Sequence, residues 1–128
     1  MTLSYARTQE NSNPDRPVYL MADAANLLAN GHNEYLVPCD GFDWCFVEVD
    51  SNKQYGIYGI GQSGYGAQSY YFLVNAAGSV ASRLGISGGS GYGMVIPCRN
   101  LAWAGCRVTN QDAVNDATIT VRITLANG

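Results

Sequence analysis

Between Ala117 and Leu125 apolar and polar side chains alternate without a break. Ile119, Val121, Ile123 and Leu125 fall on one side, and Thr118, Thr120, Arg122 and Thr124 on the other. A period of two marks an antiparallel strand with one face buried and one wet. Shorter stretches of strand character recur upstream. Val18-Tyr19-Leu20-Met21 is one and Tyr35-Leu36-Val37 another. Trp44-Cys45-Phe46-Val47-Glu48-Val49 is apolar on both faces before it alternates, and Tyr55 to Ile60 interleaves Tyr and Ile with Gly. Ser69 to Val74, Tyr92 to Ile96 and Cys106 to Thr109 follow. Ser79 to Ile86 reads as a strand or a short helix. Polar and glycine-rich turns, such as Asp50-Ser51-Asn52-Lys53 and Ser87-Gly88-Gly89-Ser90-Gly91, separate these runs. One stretch has helical character, Ala22 to Asn30. Asp23 can cap it, Leu27 and Leu28 lie on one side, and Gly31 is a stop; a strand-edge loop is the alternative. About eight strands at intervals of roughly eight to twelve residues predict an all-β fold. The expected form is an antiparallel β-sandwich or jelly-roll-like barrel.

Rare residues add a second layer of pattern. Val37-Pro38-Cys39, four residues, then Trp44-Cys45-Phe46-Val47 is matched 59 residues later. There Ile96-Pro97-Cys98, four residues, then Trp103-Ala104-Gly105-Cys106 repeats the order. All four cysteines and both tryptophans lie inside the two copies. One fold with two related halves, each with a Pro-Cys corner and a Trp in an equivalent place, is the simplest explanation.

The chain has 128 residues, which is one domain by length. Residues 1–17 are predicted to be an extended arm, because Arg7 to Pro17 holds two prolines and otherwise only polar side chains. Residues 18–128 form the β domain. Only 13% of residues are charged, against about 25% in an average domain, so Tyr, Ser, Asn, Gln and Thr must cover much of the surface. Seven scattered cations in a chain of net charge −3 exclude a polyanion-binding role, and nucleic acid is not an expected partner. There is no apolar run long enough to span a membrane as a helix, and no basic-then-apolar leader opens the chain, so a cytoplasmic start is expected.

The residues do not assemble a familiar catalytic pattern. His32 is the single histidine and lies in a probable loop. Gly59 to Gly64 matches a G-x-G-x-x-G string, but in a Gly/Tyr-rich β region rather than before a helix. Cysteine spacings of C-x5-C and C-x7-C do not fit zinc knuckles. Free buried thiols, local disulfides (Cys39–Cys45 and Cys98–Cys106) and crossed pairing between the halves all stay open. No cofactor, metal or catalytic residue is expected, and the protein is read as a non-enzyme. The best candidate binding surface is the tyrosine-rich segment containing Tyr55, Tyr58 and Tyr65, although Tyr58 could equally serve the core. The corners supply candidate ligand residues in Asp40, Asp43, Trp44, Asn100 and Trp103.

A small chain with a polar arm, a compact low-charge β body and a strand at its C-terminal end resembles, as a general type, the capsid decoration (cement) proteins of bacteriophages. That resemblance implies a virion structural protein, assembled in the host cytoplasm. It would bind the major capsid protein through Tyr5, Arg7 and Arg16 of the arm and form trimers or dimers through its β body. Many modest contacts would then add up through avidity. The alternative is a carbohydrate-binding or receptor-binding β-sandwich whose corner tryptophans stack on sugars. Burial separates the two readings: tryptophans in the core favour the structural role, exposed ones favour glycan binding.

Overall fold

The computed structural model describes residues 2–4, 8–64, 70–71 and 82–128. Every regular element among them is a strand: β1 (Thr2–Ser4), β2 (Thr8–Gln9), β3 (Val18–Leu27), β4 (His32–Pro38), β5 (Trp44–Ser51), β6 (Tyr55–Gln62), β7 (Tyr70–Tyr71), β8 (Ser82–Ile86), β9 (Gly91–Pro97), β10 (Trp103–Asn110) and β11 (Ala117–Ala126). One sheet runs β1-β4-β10-β6-β7, with β8 also paired to β6; the other runs β2-β3-β11-β5-β9. Pairing is antiparallel except between β1 and β4. The eight principal strands follow the order of a jelly roll, a long hairpin rolled up on itself, alternating between the sheets except where β6 and β8 pair in the same one. The hairpin is nearly in register. The midpoints of Pro38 and Trp103, of Trp44 and Pro97, and of Tyr55 and Ile86 all fall between Tyr70 and Tyr71.

The two halves expected from the repeat are present as topology. Strands β3 to β6 and β8 to β11 each give two strands to each sheet. Moving 59 residues along the chain takes β4 onto β9 and β5 onto β10, which exchanges the sheets. The inward side chains of β11, Ile119, Val121, Ile123 and Leu125, are fully buried, as their alternation predicts. They meet Val47 and Val49 of β5, Tyr35 and Val37 of β4, and Ile57 of β6 in one core. Each such aliphatic side chain contributes about 1.5–3 kcal/mol through removal from water.

The stretch from Ala22 to Asn30 is a strand through Leu27, not a helix. Its pairing with β11 along nearly its whole length outweighs the modest helix preference of Ala and Leu. The ladder slips near Val121, where Ala24 takes a left-handed conformation (φ 49°) and its N–H donates to Thr120 Oγ1 at 3.1 Å. Leu27 is therefore buried while Leu28 is exposed, whereas a helix would have placed them together.

The N-terminal segment follows the body. Residues 2–4 pair with β4 and residues 8–9 with β3, so the segment reaches an edge of each sheet. A loop closes β2 onto β3: Glu10 N–H donates to Val18 O, Val18 N–H donates to Asn11 Oδ1, and Asn11 Nδ2 donates to Arg16 O. Glu10 also pairs with Arg122 of β11 at 2.8 Å.

Candidate functional site

Both Pro-Cys corners sit at one end of the sandwich, side by side, where the chain crosses between sheets. Each is a four-residue turn: Phe42 N–H donates to Cys39 O, and Leu101 N–H to Cys98 O. The third residue of each turn is left-handed, Gly41 at φ 85° and Asn100 at φ 68°. Gly and Asn are the residues that tolerate this region best. The turns bond reciprocally. Cys39 N–H donates to Ala102 O at 2.9 Å, and Cys98 N–H to Asp43 O at 3.0 Å. Across the strands Trp44 stands opposite Pro97, and Trp103 opposite Pro38. The Gly41/Asn100 and Phe42/Leu101 correspondences were available from the alignment of the two copies once its register was extended through the turns.

The corner candidates separate by environment. Asp40 and Asn100 are exposed turn residues. Asp43 binds Arg99 of the other corner at 3.0 Å, and that hydrogen bond holds its carboxyl below the usual range. Trp103 is half-buried in the first sheet. Trp44 is 40% exposed.

Trp44 opens a row. On β5 the residues Trp44, Phe46, Glu48 and Asp50 alternate with the buried Cys45, Val47, Val49 and Ser51, and so share the outer face of the second sheet. The row is about 20 Å long at the usual rise per residue. Across β11 the same face carries Thr124, Arg122 and Thr120, opposite Phe46, Glu48 and Asp50. Across β9 it carries Val95, Gly93 and Gly91. A Cβ on Gly93 would come 2.7 Å from the tip of the Phe46 ring, which lies across the glycine and would have to shift. The result is a groove of about 500 Å³ lined by Phe46, Tyr92, Glu48, Asp50, Asp23 and Arg122 among others. Its aromatic end continues into Trp44 and the half-exposed Val95 (52%). Glu10 hydrogen-bonds the Arg122 guanidinium and, with Glu48 and Asp23 nearby, reinforces its positive charge. Arg122 thus already has its counter-ion, and Asp23, Glu48 and Asp50 leave the groove acidic.

The outer face of the first sheet is different. Leu36, Ile60 and Gln62 alternate away from the core and are nevertheless fully buried, and Glu34 holds Arg107 at 2.8 Å. It presents no comparable open row among the described residues.

The tyrosine-rich segment is only partly a surface. Tyr55 is fully buried, with its hydroxyl 3.1 Å from Val49 O and 2.5 Å from Ser90 O, so it belongs to the core rather than to a binding face. Tyr58 is half-buried opposite Arg107. Tyr5, Arg7 and Tyr65 lie outside the described residues, and Arg16 is exposed at the end of the β2–β3 loop. His32 opens β4 rather than lying in a loop; burial, and secondarily Arg107, lower its pKa from the ordinary value. No group of three or more His, Cys, Asp or Glu that could hold a metal ion occurs among the described residues.

No protein-family model matches the chain, and neither does any curated protein. Solved structures match in shape. A tripeptidyl peptidase 2 structure aligns with a TM-score of 0.63 at 9% identity, over 94% of this chain and 10% of that one. This chain therefore spans about a tenth of that peptidase's length. The periplasmic inhibitor of g-type lysozyme PliG, from Aeromonas hydrophila, aligns with a TM-score of 0.54 at 8% identity, over 97% of each chain. The SPBc2 prophage-derived protein YomS aligns with a TM-score of 0.53 at 10% identity, over 89% of this chain and 96% of that one. At these identities the likeness is one of fold. Function has to be argued from the site.

Proposed function

We propose that this chain is a glycan-binding β-sandwich module that uses the outer face of the sheet β2-β3-β11-β5-β9. The observation that carries the reading is the row Trp44-Phe46-Glu48-Asp50: two aromatic side chains, then two carboxylates, on one open face beside a groove. Aromatic rings pack on the apolar faces of pyranose rings, and carboxylates accept hydrogen bonds from sugar hydroxyls. Thr120 adds a hydroxyl and Arg122 a fixed set of donors. Because Arg122 is already paired with Glu10, three carboxylates face the ligand with no free cation to match them. Like-charge juxtaposition rejects acidic sugars, so the expected ligands are neutral oligosaccharides long enough to reach from Asp50 to Trp44. Tryptophan fluorescence of the full chain, titrated with panels of neutral and of acidic oligosaccharides, tests this. Saturable blue shifts with a neutral oligosaccharide, absent in Trp44→Ala, are expected. No shift with any member, or a preference for acidic sugars, would overturn the reading.

A shell component of a virion is the second reading, and one observation favours it. Strand β9 is the outer edge of its sheet, with Val95 exposed beside Trp44. An unpaired edge with an apolar flank is a template for another subunit. In that reading the β body forms a homo-oligomer along β9 and binds a major capsid protein. Quantitative mass spectrometry of purified particles tests it: hundreds of copies per particle are expected, and absence from particles would refute it.

A further inference from the structure

The buried cysteines have no part in either reading, and their arrangement is specific. Cys39 and Cys98 occupy the same position in the two corners and are completely buried. Cys39 Sγ lies 3.9 Å from Cys98 O, and each thiol shifts the ionisation of the other. Each sulfur also lies near a carbonyl of the opposite turn: Cys39 Sγ is 3.3 Å from Leu101 O, and Cys98 Sγ is 3.6 Å from Phe42 O. The backbone around them is pinned by the reciprocal bonds Cys39 N–H to Ala102 O and Cys98 N–H to Asp43 O. Two thiols are thus held face to face on a rigid frame, joining parts of the chain 59 residues apart.

The geometry points to Cys39 and Cys98 as an oxidisable pair that closes, on exposure to a peroxide, into a disulfide clamping the two corners together. The chemistry balances with the peroxide as sole oxidant. One thiolate attacks a peroxide oxygen, the O–O bond breaks, hydroxide leaves and takes up the thiol's proton as water, and a sulfenic acid forms. The second sulfur then displaces its hydroxyl as a second water, forming the S–S bond. Cys98 is the natural first nucleophile, because the neighbouring Cys39 thiol holds its pKa below the ordinary thiol value. Cys39 is correspondingly pushed up, by its interaction with Cys98 and by burial. Both side chains are fully buried, so the peroxide reaches them through local opening of the corner turns. Cys45 and Cys106 lie deeper, with burial raising both thiols, Cys106 to about 12, so they are poor nucleophiles. The clamp closes a long loop of the unfolded chain, which is where cross-links stabilise most in the chain-entropy account.

The test treats the folded, full-length protein with hydrogen peroxide, then counts thiols after denaturation, maps peptides and measures melting. The expected result is a fall from four free thiols to two, a mass loss of two hydrogens, and one linked peptide pair holding Cys39 and Cys98. Melting should rise by roughly 10–15 °C, reversibly with dithiothreitol. Cys39→Ala should abolish the linked pair and the rise, whereas Cys45→Ala should retain both. Four remaining thiols, sulfinic acids without a linked pair, or a linked pair involving Cys45 or Cys106 would overturn the proposal. Should Cys39→Ala fail to fold, peptide mapping of the unmutated protein decides alone.

Discussion

Replacing Tyr55 with Phe removes one oxygen from the middle of the structure and nothing else. The hydroxyl is 3.1 Å from Val49 O on β5 and 2.5 Å from Ser90 O in the turn before β9. It joins the end of β6 in one sheet to the edge of the other. Its single proton serves one carbonyl at a time. The loss should therefore be that of one buried hydrogen bond plus the penalty of leaving a carbonyl unsatisfied, about 1–3 kcal/mol. Titration provides an independent route. Burial, with Asp50 adding to it, raises Tyr55 to about 12 from its ordinary 10. The neutral phenol is the form the fold accommodates, and the unfolded chain ionises first. Stability contributed by Tyr55 is therefore fully present below about pH 10 and is lost as pH rises through about 12, a change of about 2–3 kcal/mol. Urea denaturation of both proteins at neutral pH and in steps to about pH 11.5 measures the difference. It should start at about 1–3 kcal/mol in favour of tyrosine and shrink toward zero, because phenylalanine has no proton to lose. Equal stability at neutral pH, or a difference that does not change with pH, would refute both the buried role and the cause assigned to the shift.

Trp44→Ala should cost less than about 1.5 kcal/mol, well short of the 3–5 kcal/mol of a core tryptophan, because the side chain is 40% exposed. Glycan binding, read by fluorescence or calorimetry, should fall at least about tenfold. Gly105→Ala should prevent folding to the native state, judged by circular dichroism, since its Cβ would collide with the Tyr35 backbone oxygen. Gly41→Ala meets nothing within 4 Å and should cost only about 1 kcal/mol for its left-handed backbone, measured in urea. Glu34→Ala should destabilise by about 3 kcal/mol by stripping the carboxylate from a mostly buried guanidinium, and Arg107→Met in the same chain should recover part of that loss.

The periodicity of β11 was legible because a strand at the middle of a half-wet sheet repeats its environment every second residue. The recurrence of Pro-Cys-x4-Trp was legible because the jelly roll asks for the same corner twice. The open face on β5 was obscured by its interior. Cys45, Val47 and Val49 made both sides of the strand look apolar at first, so the outward spacing of Trp44, Phe46, Glu48 and Asp50 did not stand out. Arg122, Asp23 and Gly93 join that row only through strand register, which no local pattern encodes. Tyr55 misled for a different reason. A tyrosine suits a surface or a core equally until the partners of its hydroxyl are known, and here they come from β5 and from the turn before β9. The Ala22–Asn30 stretch misled because its composition favours a helix locally, while the long ladder with β11 decides the outcome.

The two halves also show where the chain departs from its own internal symmetry. At the corners five positions correspond in role, Pro38 with Pro97, Cys39 with Cys98, Gly41 with Asn100, Phe42 with Leu101 and Trp44 with Trp103, whereas Asp40 matches Arg99 and Asp43 matches Ala102. Past the tryptophans they diverge on both sides of each strand, but the inner positions stay buried in both copies while the outer ones change character. Phe46, Glu48 and Asp50 on β5 correspond to Gly105, Arg107 and Thr109 on β10. On the β10 side the charged residue is consumed by a buried pair with Glu34, and the neighbouring Leu36 and Ile60 are closed off from solvent. On the β5 side the same positions are left open, carry an aromatic ring and two carboxylates, and face a groove. The face that keeps its aromatic and acidic side chains in water forgoes the burial its counterpart gains, and under the glycan-binding reading proposed above a ligand seated on that row would cover it.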